Sequence, residues 1–353
     1  MALDYKLDLV DVAHGGAQTG ARHLDALTLS ADLDLDRAIG WRGANAHLDL
    51  LNTSGEAPND LAATLQGVDN IEVGSRRPRL YQAWLEQSFA GDRAALRLGL
   101  YDVSGEFGVA DSAGLLLGPA FGMNPELAGS GPSGAAAYPS TALGARLVWR
   151  PTKTSYLQAA VVNAHVGVPG EPGGVDTGFE DGELLIAEAG WTGHGKLALG
   201  AWTYTQRMDD QRAVDASGAP LRRRPYGAFL VVEQPVTATT TAFLKGGLSE
   251  GDTQPLKATW QAGLLVQPLF ASRPDSTLAV GLSQVRLAKG YRANAFDAGQ
   301  ALDQAETLVE LTYSDQLSPK VRLQPDLQYI HRPSADRALK DAVVANIRLE
   351  VAF

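Results

Sequence analysis

The stretch ANIRLEVAF, residues 345–353, alternates between apolar and polar side chains. The apolar positions are Ala345, Ile347, Leu349, Val351 and Phe353, with Asn346, Arg348 and Glu350 between them. A period of two predicts a β-strand that has one apolar and one polar face. We therefore expect the chain to finish in a strand whose last residue is aromatic.

The same alternation recurs along the whole chain. It is clearest in LTLSADLDLD (27–36), LRLGLY (96–101), LGARLVW (143–149) and ETLVELTY (306–313). We count about sixteen such segments, each about ten residues long, which is the length that a tilted strand needs to cross a bilayer. The pattern favours a transmembrane β-barrel.

The candidate connections between these segments alternate between short and long. The short ones include 90–92, 151–153, 193–195, 234–237 and 315–318, and the long ones include 53–78, 103–140, 165–182, 207–224 and 288–302. Outer-membrane barrels have this asymmetry, with short periplasmic turns and long extracellular loops. We predict an all-β fold: a transmembrane antiparallel β-barrel of about sixteen strands, forming one domain over residues 1–353. Both termini then lie at the short-turn end, where the last strand pairs with the first and no edge is left open.

Aromatic residues recur on the apolar faces where strands approach the short turns. They are Phe89, Trp149, Trp191, Phe270, Tyr313 and Phe353. Such a girdle is expected at a membrane interface, which amphipathic rings prefer. The alternative is the core of a soluble all-β protein, which gives no reason for aromatics to recur at one end of the strands.

Composition excludes several other classes of protein. The net charge of −10 argues against a nucleic-acid partner, and the absence of cysteine removes disulfide frameworks and cysteine zinc sites. The chain has no run of about 18 apolar residues, so no transmembrane helix is predicted. The N-terminal MALDYKLDLVDV lacks the basic and apolar regions of a signal peptide, so we expect any secretion signal to belong to a longer precursor.

If the apolar faces contact lipid, the polar faces line the interior. Those faces carry mostly charged and amide side chains and one tryptophan. They are Asp32, Asp34, His47, Asp49, Gln82, Trp84, Glu86, Arg97, Arg146, Glu188, Glu233, Lys245, Gln261, Glu306, Glu310, Arg322 and Arg348. Unpaired charges are costly in a dry core but not in a water-filled channel. We predict that these side chains face water or form ion pairs along the wall.

Two loops are candidates for a constriction. Segment 103–140 is apolar and rich in glycine, which predicts that it folds into the lumen. Segment 53–78 contains PNDLAATLQG, a candidate short helix capped by Asn59 or Asp60, and carries arginines at its end. The predicted pathway residues, with arginines opposing carboxylates across a gap, are Arg76, Arg77, Arg79, Trp84, Glu86, Arg97, Asp102, Glu106, Asp111 and Arg146.

Arginines and carboxylates together suit a neutral sugar. The guanidinium group supplies donors and the carboxylate supplies acceptors, while sugar hydroxyls are both. An aromatic face such as that of Trp84 offers stacking to the C–H face of a pyranose. Permeation requires that these contacts be weak enough for the solute to leave.

Several stretches resemble the carbohydrate-selective porins of the OprB family. They are NIEVGSRRPRLYQAWLEQSF, LRLGLYDVSGEFGVADSAGLLLGPAFGMNPEL, YPSTALGARLVW, YLQAAVV and DGELLIAEAGW, together with the terminal Phe353. The resemblance implies a sixteen-stranded barrel, a constriction built from loops, and diffusion of glucose-like sugars. Pro325 departs from a simple strand pattern, and we expect a bulge there.

Three alternatives remain open on the sequence. A general diffusion porin for small polar solutes would have the same architecture. An outer-membrane barrel hydrolase would need a nucleophile motif, and the six histidines lie in none. The carboxylates of DLDLD, namely Asp32, Asp34 and Asp36, share one strand face, but the glycine and glutamate of an EF-hand are missing.

The expected partners follow from the barrel interpretation. We expect small neutral sugars in the lumen, and lipids and lipopolysaccharide around a barrel in the outer membrane of a Gram-negative bacterium. We expect neither a cofactor nor enzymatic activity, and either a monomer or a homotrimer.

Overall fold

The computed structural model describes residues 1–74, 76–167 and 175–353. Within them, sixteen strands form a closed antiparallel barrel, as predicted. The barrel strands are β1 (Ala2–Gly16), β2 (Gly20–Asp34), β3 (Ala44–Gly55), β4 (Pro78–Phe89), β5 (Ala94–Tyr101), β6 (Ala142–Thr152), β7 (Ser155–Asn163), β8 (Glu183–Trp191), β9 (Lys196–Tyr204), β12 (Tyr226–Pro235), β13 (Thr240–Ser249), β14 (Leu256–Val266), β15 (Thr277–Leu287), β16 (Ala305–Ser318), β17 (Val321–His331) and β18 (Lys340–Ala352).

The connections contain the remaining regular structure. Strands β10 (Met208–Val214) and β11 (Pro220–Arg223) form a separate hairpin between β9 and β12. The helices are α1 (Leu35–Ile39), α2 (Asn59–Ala62), α3 (Pro125–Ala128) and α4 (Lys289–Asp297). None of the helices in the described part of the chain combines the length and hydrophobicity needed to span a membrane.

The first and last strands close the barrel. Strand β1 pairs with β18 over most of its length, with Leu9 opposite Ile347 and Asp8 opposite Arg348. Leu9 and Ile347 point outward and are about half exposed, at 53% and 49%. The alternation in the C-terminal strand therefore separates a lipid face from an inner face, and the expectation that this strand meets the first is confirmed.

The outward faces carry the predicted apolar residues. Leu98 and Leu147 are exposed, whereas their neighbours Arg97 and Arg146 turn inward. Five of the six predicted girdle aromatics are exposed near strand ends: Phe89, Trp149, Trp191, Phe270 and Phe353. The sixth, Tyr313, packs edge-on against Phe270 with ring centroids 6.4 Å apart.

The alternation of loop lengths has exceptions at both ends. At the long-loop end, connections 17–19, 250–255 and 332–339 are short, and at the other end connections 35–43 and 267–276 are longer than the other turns. In connection 35–43 the strand β2 ends at Asp34 and helix α1 follows, because Asp34 caps α1 by accepting a hydrogen bond from the Arg37 backbone N–H. The prediction that Asp32, Asp34 and Asp36 share one strand face is therefore wrong.

The bulge expected at Pro325 is absent. Strand β17 keeps one register with β18 through Pro325, which lies opposite Ile347. The Pro325 carbonyl accepts from Thr312 Oγ1 on β16 at 3.4 Å, and the β16–β17 register is the same on both sides of this position. The β16–β17 ladder is interrupted at Pro325, which lacks the backbone N–H that a ladder hydrogen bond needs.

Two long connections lie inside the barrel. Residues 102–141 pack apolar side chains such as Phe107 and Leu127 against the inner-wall residues Ile186 and Trp202. Residues 56–74 place Leu61, Val68 and Ile71 in a second buried cluster with wall residues that include Val10, Leu24 and Val344. Part of the inner wall is therefore apolar, because it packs against loops rather than water. These two segments are called the constriction loop (102–141) and the second loop (56–74) below.

Candidate functional site

A four-residue charge network lies on the inner wall where the constriction loop leaves the barrel. Glu86, Arg97 and Arg146 come from β4, β5 and β6, and Glu106 comes from the constriction loop. Glu86 pairs with Arg97 across the β4–β5 ladder, and Arg97 pairs with Arg146 across the β5–β6 ladder. Strand alternation thus points all three wall residues inward at one level.

Both arginines contact both carboxylates. Arg97 donates through Nε to Glu86 Oε2 at 3.0 Å, and its Nη1 lies 2.8 Å from Glu106 Oε1. Arg146 donates through Nη2 to Glu86 at 2.8 Å and to Glu106 at 2.7 Å. Bridging by two carboxylates lets the two guanidinium groups lie side by side without net repulsion. The charges therefore lie side by side on one wall. The prediction that arginines oppose carboxylates across a gap is wrong for these four residues.

The network is screened only in part from solvent. The side chain of Arg146 is 6% exposed, whereas those of Arg97 and Glu86 are 15% and 21% exposed. Arg97 and Glu86 thus present a donor and an acceptor toward the lumen, next to each other.

Trp84 adjoins the network, but its ring is covered. The guanidinium carbon of Arg97 lies 3.6 Å from the centre of the indole, and His47 stacks on the indole with centroids 4.8 Å apart. Because β3 and β5 flank β4, these two side chains reach the indole from its two sides. Neither face is left for a pyranose, so the expected stacking of a sugar on Trp84 does not fit this arrangement.

His47 is held between two carboxylates. Its Nδ1 lies 2.7 Å from Asp32 and its Nε2 lies 2.9 Å from Asp49. Gln82 donates to the same Asp49 at 3.1 Å. The sequence placed His47 on the wall but gave no sign that it extends the network through Trp84 to Arg97.

The three predicted pathway arginines at positions 76, 77 and 79 differ in how far they are exposed to solvent. Arg76 is exposed, Arg77 is half-buried, and Arg79 is 4% exposed on β4. Arg79 donates through Nη2 to Thr53 Oγ1 at 3.1 Å. They lie at the long-loop end of β4, whereas Glu86 lies toward its other end.

The two predicted aspartates also have different surroundings. Asp102 accepts from Tyr81 Oη at 2.5 Å and from the Ser104 backbone N–H at 2.6 Å, while burial raises the pKa of Asp102. Asp111 is exposed and lines a separate cavity of about 520 Å³ with Lys196 and Gln267 at the short-turn end. Asp111 therefore lies apart from the network around Arg97.

Sequence reasoning missed a pair of tyrosines beside Asp102. The rings of Tyr81 and Tyr138 meet edge to face, 5.6 Å apart. The β3–β4 register shifts between Asp49 and Leu50, so that Tyr81 and its neighbour Gln82 both turn inward. Strict alternation could not place both residues on one face.

Several wall residues expected to face water are buried. They are Glu188, Glu233, Lys245, Gln261, Glu306 and Glu310, all 7% exposed or less. Each hydrogen-bonds to backbone groups of a loop that lies in the barrel, for example Lys245 Nζ to the Phe121 carbonyl at 2.9 Å. The prediction of a solvated wall is wrong at these positions, since the loops occupy the space.

The described residues contain no cluster of three or more acidic, histidine or cysteine side chains arranged to hold a metal ion. In Asp32–His47–Asp49 the two carboxylates bind opposite ring nitrogens and therefore do not converge on one point.

A closed sixteen-stranded barrel with an apolar exterior, inward loops and paired charges on its inner wall defines a porin. Residues 18–353 match the family described as "Carbohydrate-selective porin, OprB family". The chain belongs to that family.

Individual relatives are distant in sequence but similar in length and fold. Porin B of Pseudomonas aeruginosa is 23% identical over 411 aligned residues, which cover 99% of this chain and 87% of that protein. The high-pH structure of Pseudomonas putida OprB matches with a TM-score of 0.88 at 21% identity, over 100% of this chain and 93% of that one. The outer membrane channel DcaP of Acinetobacter baumannii matches with a TM-score of 0.59 at 8% identity, over 100% and 96%.

Proposed function

We propose that this porin conducts glucose-like monosaccharides by passive diffusion, and that the constriction loop makes the channel narrow enough to select them. The observation that carries this proposal is the network of Glu86, Arg97, Glu106 and Arg146. It offers donors and acceptors at hydrogen-bonding distance from one another, which is the spacing of neighbouring sugar hydroxyls.

A neutral network suits a neutral solute. Two arginines and two glutamates sum to zero charge, so a permeating ion finds no net attraction at this wall. A sugar hydroxyl replaces water on the exposed edges of Arg97 and Glu86 without breaking the more deeply buried bonds of Arg146. Contacts of this kind are weak and numerous, as transport requires.

Planar-bilayer conductance with added sugars tests the proposal. We expect glucose to reduce ion current reversibly, and disaccharides to do so less because they enter less readily. Arg97→Ala is expected to weaken the block by glucose. Equal block by glucose and by uncharged polyols of similar size would indicate general diffusion instead.

A further inference from the structure

Where the constriction loop is farthest from β5, at Leu117 and Gly118, it binds a carboxylate of the barrel wall. This part is called the far end of the loop below. Glu310 of β16 accepts from the Leu117 backbone N–H through Oε1 at 2.5 Å and from the Gly118 backbone N–H through Oε2 at 2.9 Å. The side chain is fully buried. Both oxygens of the Glu310 side chain are therefore used as acceptors for neighbouring backbone N–H groups of the loop.

The wall also supplies donors to the next peptide groups of the loop. Gln261 of β14 donates to the Ala120 carbonyl at 2.5 Å, and Lys245 of β13 donates to the Phe121 carbonyl at 2.9 Å. A buried backbone without water needs such partners. Segment 117–121 is thus bound through its amides by β16 and through its carbonyls by β13 and β14.

These contacts lie across the lumen from where the loop begins. The constriction loop leaves β5 and returns to β6, and in the order of strands around the barrel β16 lies nine strands from β5 in one direction and seven in the other. Between β5 and Glu310 the loop contacts Glu188 of β8 and Glu233 of β12, so it extends through the barrel interior to the opposite wall. At its near end the same loop delivers Glu106 to Arg97 and Arg146.

We propose that Glu310 is a positioning residue for transport: it fixes the far end of the constriction loop and thereby sets the largest solute that passes. This inference rests on the proposed role of the loop as the constriction. Glu310 contacts no solute, because it lies beneath the loop. It acts through the position of the backbone at Leu117 and Gly118.

Glu310→Gln tests the inference with almost no change in shape. The substitution turns one acceptor oxygen into an NH₂ donor, which then faces a backbone N–H donor. Glu233→Gln is the matched control, because Glu233 accepts from both the N–H and the hydroxyl of Ser112 through the same oxygen, Oε1. A glutamine at 233 keeps that oxygen.

The measurement is swelling of proteoliposomes in glucose, sucrose and raffinose, together with ion conductance in planar bilayers. We expect the Glu310→Gln protein to raise the raffinose rate relative to glucose at least severalfold and to raise ion conductance, while Glu233→Gln behaves like the unmodified protein. Heat-modifiable migration on gels shows that each barrel is folded. Glu310→Asp, which keeps the carboxyl group but withdraws it by one methylene group, gives a second test with a smaller expected increase if Glu310→Gln does not fold.

Folded Glu310 variants with an unchanged ratio of raffinose to glucose and unchanged conductance would overturn the inference. A different result overturns the proposed function: an unmodified protein that passes raffinose as fast as glucose. In that case the change in ion conductance alone still decides whether Glu310 holds the loop.

Discussion

At the scale of single residues, neighbouring side chains on one strand have opposite environments. Arg97 is held in the charge network inside the barrel, whereas Leu98 is 49% exposed on the lipid face. A shift of register by one residue would exchange these environments and place an arginine in lipid. The chain contains no cysteine, so an introduced thiol can be labelled without background.

We predict that a cysteine at position 97 reacts with a charged methanethiosulfonate reagent in liposomes and that the reaction changes conductance. A cysteine at position 98 is expected to react at least tenfold more slowly, because a charged reagent does not enter the hydrocarbon layer. Labelling rates followed by mass spectrometry provide the measurement. Faster reaction at 98 than at 97 would mean that the register is inverted.

Glu72 gives the second loop a dependence on pH. Burial raises the pKa of Glu72 from 4.5 to about 7, although its carboxylate accepts a hydrogen bond from the Asn59 backbone N–H at 3.0 Å. Because the folded loop binds the proton more tightly than the unfolded loop, the free energy of unfolding of the loop is highest below about pH 4.5 and falls as the pH rises to about 7.

We therefore expect hydrogen exchange in peptides covering 59–72, corrected for intrinsic rates, to be faster at pH 8 than at pH 5.5. Glu72→Gln should remove most of this difference because the amide does not titrate. An equal pH dependence in the variant and the unmodified protein would assign the effect to another group.

At the scale of elements, the wall strands are shaped to receive the constriction loop. On β13, Gly246 faces outward and Gly247 faces inward. A Cβ at Gly247 would lie 1.6 Å from Glu126 Oε1 of the loop, whereas a Cβ at Gly246 would have the Thr259 carbonyl oxygen as its nearest neighbour at 3.7 Å. The absence of a side chain at Gly247 makes room for the loop.

We predict that Gly247→Ala lowers the free energy of unfolding by about 1–3 kcal/mol, the usual effect of overpacking, and raises ion conductance as the loop shifts. Gly246→Ala is the matched control and should change neither by a measurable amount. Urea unfolding in lipid vesicles, followed by tryptophan fluorescence, provides the stability measurement. Equal effects of the two substitutions would show that the loop does not bear on this strand.

The elements also show where alternation fails as a guide. The period of two located the strands and their apolar outward faces, since the same alternation applies to every strand. It could not say whether an inward polar residue meets water or a loop. Glu310 and Arg97 have the same pattern in sequence, yet Glu310 is buried under the constriction loop and Arg97 faces the lumen.

At the scale of the whole molecule, a buried ion pair joins the ends of the chain. Arg348 on β18 contacts both oxygens of Asp8 on β1, at 2.6 to 3.0 Å, and reaches Asp69 and Asn70 of the second loop. The same residue therefore fastens the barrel seam and the loop that packs behind it.

Arg348→Ala is expected to lower the free energy of unfolding by about 3–5 kcal/mol, because it leaves Asp8 and Asp69 buried without their cation. The control is Lys6→Ala, which removes the seam pair of Lys6 with Glu350, 3.5 Å apart and partly exposed. An exposed pair of this kind contributes about 1 kcal/mol or less. Unfolding midpoints in urea measure both, and similar losses in the two variants would contradict the special role of Arg348.

The sequence by itself determined the barrel. Lipid on the outside imposes one rule on every strand, so alternation, strand length and the positions of the aromatics all report it locally. It also indicated the residues of the charge network, because Glu86, Arg97 and Arg146 share strand faces that point inward. Only the tertiary structure decided which interior residues meet the lumen, since that depends on where two loops fold across the barrel. The covering of Trp84 by His47 and Arg97, and the anchoring of the loop by Glu310, join residues far apart in sequence, and no local pattern encodes such contacts.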